Sequence, residues 1–190
     1  DAGHFSPTGS TEQTECSPGT VQPDAGKGTC DKCAAGTYQK GEGKQACVAC
    51  EPGSYCPEGA SAALPCKEGS YSNSTDLGSE DMCTETNIGY FASTGSTEQT
   101  KCSPGTVAPN ANMSACTKCE AGTFQAAPGQ SVCLECPAGS VCAVQATAAV
   151  PCPGGTFGGS SGLRGVSDCE DAPPGFYAQA GSIEPTTCPS

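Results

Sequence analysis

The sequence predicts a small disulfide-rich fold of short β-hairpins and loops, drawn out as an elongated tandem-repeat rod with almost no helix. Three observations predict it. Cysteine reaches 17 of 190 residues, a density at which disulfides rather than an oily interior define the scaffold. The cysteines recur at a fixed stride of 86 residues. Glycine (26) and proline (16) interrupt nearly every stretch in which a helical apolar pattern could run,.

The apolar inventory agrees. There is no Trp, and there are five Phe and five Tyr. Such a chain buries too little apolar surface to offset its conformational entropy, so cross-links must carry much of the stability. Disulfides persist outside the cytosol, which makes the chain a secreted or cell-surface one.

The stride sets the organisation. Cysteines stand at 16, 30, 33, 47, 50, 56, 66 and 83; adding 86 yields 102, 116, 119, 133, 136, 142, 152 and 169, and carries 102 to 188. The sequence between them agrees too, with TGSTEQT at Thr8 and Thr94 and CSPGTV at Cys16 and Cys102. The expected divisions are a first repeat over 1–86, a second over 87–172 and the start of a third over 173–190. No linker separates them, so they are expected to continue as one rod.

A finer rhythm lies inside the stride. Gly, then one residue, then an aromatic or Val occurs at Gly3, Gly19, Gly36, Gly53, Gly69 and Gly89, then at Gly105, Gly122, Gly139, Gly155 and Gly175. Each marks a rung, a hairpin or loop with strands of three to five residues. The glycine supplies a positive φ or lets backbone approach closely. The aromatics Tyr38, Tyr55, Tyr71, Tyr90, Phe91, Phe124, Phe157, Phe176 and Tyr177 then pack over neighbouring disulfides. Ala60–Leu64 and Ala143–Val150 are the places where a single helical turn is expected.

Eight cysteines per period can pair within it. Successive rungs suggest Cys16 with Cys30 and Cys33 with Cys47, each loop being worth about 3 kcal/mol in the chain-entropy account. The remaining four allow alternatives. An interleaved choice, Cys50 with Cys66 and Cys56 with Cys83, is favoured over Cys50 with Cys56 and Cys66 with Cys83. The second period follows with Cys102–Cys116, Cys119–Cys133, Cys136–Cys152 and Cys142–Cys169. Cys188 is left unpaired, its partner by the stride falling past residue 190. The start at Asp1 without an initiator Met reads as a processed protein or a window of a longer one.

Zinc is the chief rival, because Cys30-x-x-Cys33 and Cys47-x-x-Cys50 stand near zinc-ribbon spacing. Four thiols per period would then stay unused, and His4 is the only imidazole. No metal and no cofactor are expected, nor a catalytic group. A Ser-His-Asp or Cys-His site would have His4 as its one base. The acidic pairs Glu80–Asp81 and Glu170–Asp171 lack the apolar surroundings that raise a carboxyl pKa, and they read as solvated surface.

The formal charge of −12 comes from 20 acidic against 8 basic residues and is spread along the chain. Nucleic acid and anionic lipid are therefore poor partners. No apolar run reaches the roughly 20 residues that span a bilayer. Two sequons, Asn73-Ser74-Thr75 and Asn112-Met113-Ser114, are N-glycan acceptors in a secreted chain. Ser6–Thr14, Ser93–Thr100 and Thr186–Thr187 are compositional candidates for O-glycans.

The element C-x-x-C-x-x-G-T-[YF] ending in C-x-x-C, with C-S-P-G-T at Cys16 and Cys102, resembles the ephrin-receptor-like cysteine-rich repeat, a relative in style of tumour-necrosis-factor-receptor and EGF-like modules. The stretch at Gly69–Gly78, GSYSNSTDLG, is similar to a glycosylated element of that family's long arrays. The resemblance implies a large extracellular array of the kind found in protist and algal surface or filament proteins. One departure stands out: no cysteine lies three residues before Gly89, so packing alone is expected to hold that rung. The leading expectation is an extracellular structural protein, a disulfide-laddered glycosylated array forming part of a filament, stalk or coat, with head-to-tail self-association or continuation of the same repeat. The other is a receptor or adhesion ectodomain with an exposed patch, confined to one period, that grips a protein or glycan ligand.

Overall fold

The computed structural model describes residues 1–189. Its strands form two-stranded antiparallel hairpins, the small disulfide-rich class that the composition predicts. Rungs 1 to 5 pair His4–Phe5 with Thr14–Glu15, Thr20–Val21 with Asp31–Lys32, Thr37–Tyr38 with Val48–Ala49, Ser54–Tyr55 with Leu64–Pro65 and Ser70–Tyr71 with Thr84–Glu85. Rungs 6 to 11 pair Tyr90–Phe91 with Thr100–Lys101, Thr106–Val107 with Thr117–Lys118, Thr123–Phe124 with Leu134–Glu135, Ser140–Val141 with Val150–Pro151, Thr156–Phe157 with Glu170–Asp171 and Phe176–Tyr177 with Thr186–Thr187.

Every strand is two residues long, shorter than the three to five expected. The reason is visible at the third residue. Its N–H turns away from the hairpin to the loop of the next rung, Gln22 to Lys44 O at 3.0 Å and Gln39 to Ala60 O at 3.1 Å. The helical turns expected at Ala60–Leu64 and Ala143–Val150 are absent for the same cause. Ala60 O and Ala146 O accept rung-to-rung bonds from Gln39 and Gln125, and Leu64–Pro65 and Val150–Pro151 are strands. Among the described residues the only helical pieces are three-residue 3-10 turns at Glu80–Met82 and Val166–Asp168. No helix is long and apolar enough to cross a membrane.

The chain divides into two compact units, 1–86 with 92–99 and 87–91 with 100–190. In the first, the rung glycine of each hairpin donates its N–H to the residue three past the next rung glycine: Gly3 to Gln22 O, Gly19 to Gln39 O, Gly36 to Cys56 O, Gly53 to Ser72 O and Gly69 to Ala92 O, all at 2.7–2.8 Å. The second repeats this from Gly89 to Ala108 O through Gly155 to Ala178 O. The glycine's own carbonyl accepts from the chain end of the same hairpin, as from Cys16 to Gly3 O at 2.9 Å. All eleven rung glycines have φ between 78° and 90°, a region closed to most side chains.

A second constraint acts on eight of them. A Cβ on Gly19 would stand 2.2 Å from Gly59 O, and one on Gly122 would stand 2.5 Å from Gly162 O. The carbonyl that leans in belongs to the loop two rungs on, and the same loop residue donates back, Gly59 N–H to Cys33 O at 2.8 Å and Gly162 N–H to Cys136 O at 2.8 Å. Three non-glycines adopt the left-handed region, Asp76, Asn112 and Gln145 at φ 61–63°. Their counterparts one stride away are Gly162, Gly26 and Gly59.

Sulfur forms the interior. Cys16, Cys33, Cys50, Cys66 and their copies at 102, 119, 136 and 152 are wholly buried. Each closes a rung and bridges to the next one. The bonds are Cys16–Cys30, Cys33–Cys47, Cys102–Cys116 and Cys119–Cys133, each joining residues 14 apart. The interleaved expectation is overturned: Cys50 joins Cys56 and Cys66 joins Cys83, with Cys136–Cys142 and Cys152–Cys169 in the second period. Hence Cys50–Cys66, Cys56–Cys83, Cys136–Cys152 and Cys142–Cys169 do not form.

One glycine explains the change. Cys50 N–H bonds to Gly36 O at 2.9 Å while Gly36 N–H bonds to Cys56 O at 2.8 Å, which sets the two cysteine Cα atoms 5.9 Å apart, within bridging reach. Gly122 does the same for Cys136 and Cys142. Cys66 is no partner for Cys50 because it occupies the equivalent corner one rung later, bonded to Gly53 O, and needs a cysteine from the rung ahead.

Two alanine substitutions separate the glycine constraints. Gly9 has φ +87° with open space around it, so Gly9→Ala is expected to cost about 1–2 kcal/mol, the left-handed penalty alone. Gly19→Ala adds a backbone collision and is expected to lose several times more. Equilibrium unfolding in denaturant under non-reducing conditions measures both.

Candidate functional site

The second strand of every rung is exposed at both positions, so these strands and the loops between rungs make the outward surface. Large apolar side chains on them include Val48, Leu64, Leu134 and Val150. They recur at the stride, Val48 with Leu134 and Leu64 with Val150. Across the hairpins they face Tyr38, Tyr55, Phe124 and Val141.

The aromatic series is half-buried rather than hidden, and Phe176 and Tyr177 are exposed. Tyr38 packs against the Cys50, Cys56 and Ala60 cluster, the aromatic-on-disulfide contact that spacing predicts. Its hydroxyl donates to Glu51 Oε1 at 3.2 Å. The Glu51 carboxylate, with some burial, raises the phenol's pKa above its ordinary value, because a second negative charge beside it is unfavourable.

Loop surfaces differ between periods where the framework does not. Lys32 meets Glu58 at 3.2 Å and Lys67 meets Glu80 at 3.4 Å, exposed pairs of little energetic weight. One stride on, Glu58 is replaced by Val144, Lys67 by Pro153 and Glu80 by Val166. Val132, Val144 and Val166 are 60, 62 and 56% exposed.

Asn73 and Asn112 are both exposed on loops. Beside Asn73, Ser74 N–H bonds Ser72 Oγ at 3.1 Å and Thr75 Oγ1 donates to Asp76 Oδ2 at 3.1 Å. Asn112 takes the left-handed conformation at φ 61°. The serines and threonines of 6–14, 93–100 and 186–187 are exposed or half-exposed. Ser6 Oγ and Ser10 Oγ both donate to Glu12 O, at 2.8 and 2.9 Å.

Among the described residues the titratable groups lie scattered over the surface. His4 lies on the first strand, its Nδ1 3.2 Å from Ala2 O and its Nε2 3.8 Å from Glu15 Oε1. A cleft of about 270 Å³ beside it is lined by Asp1, Phe5, Glu12, Gln13 and Lys27 among others. Glu80, Asp81, Glu170 and Asp171 are exposed. Bonding by the Ser79 side chain lowers the Asp81 pKa, the opposite of what a general acid requires. Backbone N–H groups of Arg164 and Gly165, at 2.8 and 3.3 Å, lower that of Asp168. Among the described residues no three His, Cys, Asp or Glu side chains gather as metal ligands, and the cysteines of the zinc-like motif are in disulfides. Cys188 is the free thiol and is exposed.

The buried glutamines are what sequence reasoning missed. Gln39 Nε2 donates to Ala46 O at 2.7 Å and its Oε1 accepts from Gly41 N–H at 3.0 Å. Gln22 and Gln125 clamp their loops in the same way. The available signal was Gln three residues after a rung glycine, at 19, 36 and 122.

Residues 3–43 and 105–149 match the family model described as tyrosine-protein kinase ephrin type A/B receptor-like. Each of these two segments is similar to an ephrin-receptor-like cysteine-rich repeat. No curated protein matches the chain. Repeats, disulfides and family model together define an extracellular disulfide-rich array.

Gln39→Ala leaves Ala46 O and Gly41 N–H without the buried amide, and is expected to lose about 1–3 kcal/mol, read by denaturant unfolding. For Asp168 the folded pKa lies below the unfolded value near 3.8, so its contribution is present above that pH and vanishes as pH falls through the depressed value. Asp168→Asn is therefore expected to lower Tm at pH 5, by a margin that shrinks as pH falls below 3.8,.

Proposed function

We propose that this chain is a structural component of an extracellular filament, stalk or cell-surface coat, built as a disulfide-laddered and glycosylated repeat array. One observation carries the reading. In each unit five successive rung glycines donate to the rung ahead, so each rung is bonded to its neighbour in the chain, as in quasi-one-dimensional repeat proteins. The partners that suit it are a head-to-tail copy or continuation of the same repeat, with covalent glycans on Asn73 and Asn112.

A second reading, a receptor or adhesion ectodomain, is favoured by the exposed Val132, Val144 and Val166, which stand where the first period has Ala46, Glu58 and Glu80. Imaging and sedimentation of the native material separate the two. Extended polymers are expected, with aspartate at 73 and 112 after enzymatic removal of N-glycans. Discrete monomers that lose ligand binding on Val132→Asp/Val144→Asp substitution would replace the structural reading with the ectodomain one.

A further inference from the structure

We infer that the span from Cys83 to Cys102 is a compliant element, the stretch that lengthens first when the array is pulled, while the disulfide-closed rungs beside it hold. Under tension a disulfide-closed loop adds no length, so only the chain between bridges can extend. Between Cys30 and Cys33, and between Cys47 and Cys50, that is two residues; between Cys56 and Cys66 it is nine; between Cys83 and Cys102 it is eighteen. A second, independent observation falls on the same span. All three points at which the chain passes from one compact unit to the other, after Thr86, after Phe91 and after Gln99, lie inside it.

The missing bridge has a recognisable place. Thr86 N–H bonds Gly69 O at 2.9 Å and Gly69 N–H bonds Ala92 O at 2.8 Å, the arrangement in which Gly36 holds Cys50 and Cys56. Thr86 and Ala92 are both about 1% exposed and six residues apart, like that cysteine pair. The backbone is thus set for a disulfide, and a hydroxyl and a methyl occupy its position. Ala172 and Ala178 repeat the substitution one stride later around Gly155. The inference concerns response to load and stands for a filament component and an ectodomain stalk alike.

Single-molecule extension of the oxidised full chain tests it. One low-force lengthening of up to about 65 Å of contour is expected from Cys83–Cys102, before the events of about 35 Å from Cys56–Cys66 and Cys142–Cys152, at roughly 3.4 Å per residue. In Thr86→Cys/Ala92→Cys, with the new bridge verified by mass, it is expected to shorten to about 45 Å. Loss of the order, with 35 Å events first, or an unchanged 65 Å event in the bridged variant, overturns the inference. Hydrogen exchange on the unaltered chain gives a check that needs no variant: amides of 84–101 are expected to exchange at least tenfold faster than those of 34–50, and equal rates overturn it.

Discussion

The interaction on which the rest depends is the hydrogen bond from a rung glycine's N–H to the carbonyl three residues past the next rung glycine. It acts with its mate, the bond from the hairpin's end to the same glycine's carbonyl, as at Gly36 between Cys50 and Cys56. Both peptide groups of one residue are thereby used to hold two neighbouring rungs, and a buried backbone group finds its partner at every step. The conformation needs a positive φ and an empty side, and only glycine offers both. Cysteine follows from that geometry, because the corner so formed is fully enclosed and lies within bridging distance of the rung ahead.

This order of causes explains what could be read beforehand. The stride, the eleven rungs and the near-absence of helix were legible because they rest on residue types with one dominant physical use. Glycine at 3, 19, 36 and onward announced left-handed backbone, and cysteine at fixed offsets announced staples. The pairing of Cys50 was not legible. Loop entropy changes by less than about 1 kcal/mol between closures of six and sixteen residues, so spacing could not choose, and the choice belonged to Gly36. Strand length was misjudged because alternation in sequence does not reveal where an N–H leaves its own hairpin for the next. The glutamine clamps at 22, 39 and 125 were hidden in a different way, since Gln on a loop is ordinarily solvated and only the enclosed geometry makes its amide structural.

The surface obeys a looser rule. Where the framework demands a residue the two periods agree, and where it does not they diverge, as at Glu58 against Val144. Even some framework positions bend: Gln145 and Asp76 take the left-handed conformation that Gly59 and Gly162 take one stride away. There the neighbouring bonds, Gln145 N–H to Cys119 O and Asp76 N–H to Cys50 O, hold the backbone against the preference of its side chain. Thr86 shows the same tolerance toward sulfur, keeping the buried corner without the bridge. The array is thus constrained most in its main chain and least in its outward side chains.

The carbonyl of Gly43 over Gly3 and that of Gly181 over Gly139 tie each of these rungs to the second one ahead of it as well as to the next. Repeat units tied to their near neighbours in this way can begin folding at any rung and propagate to the next.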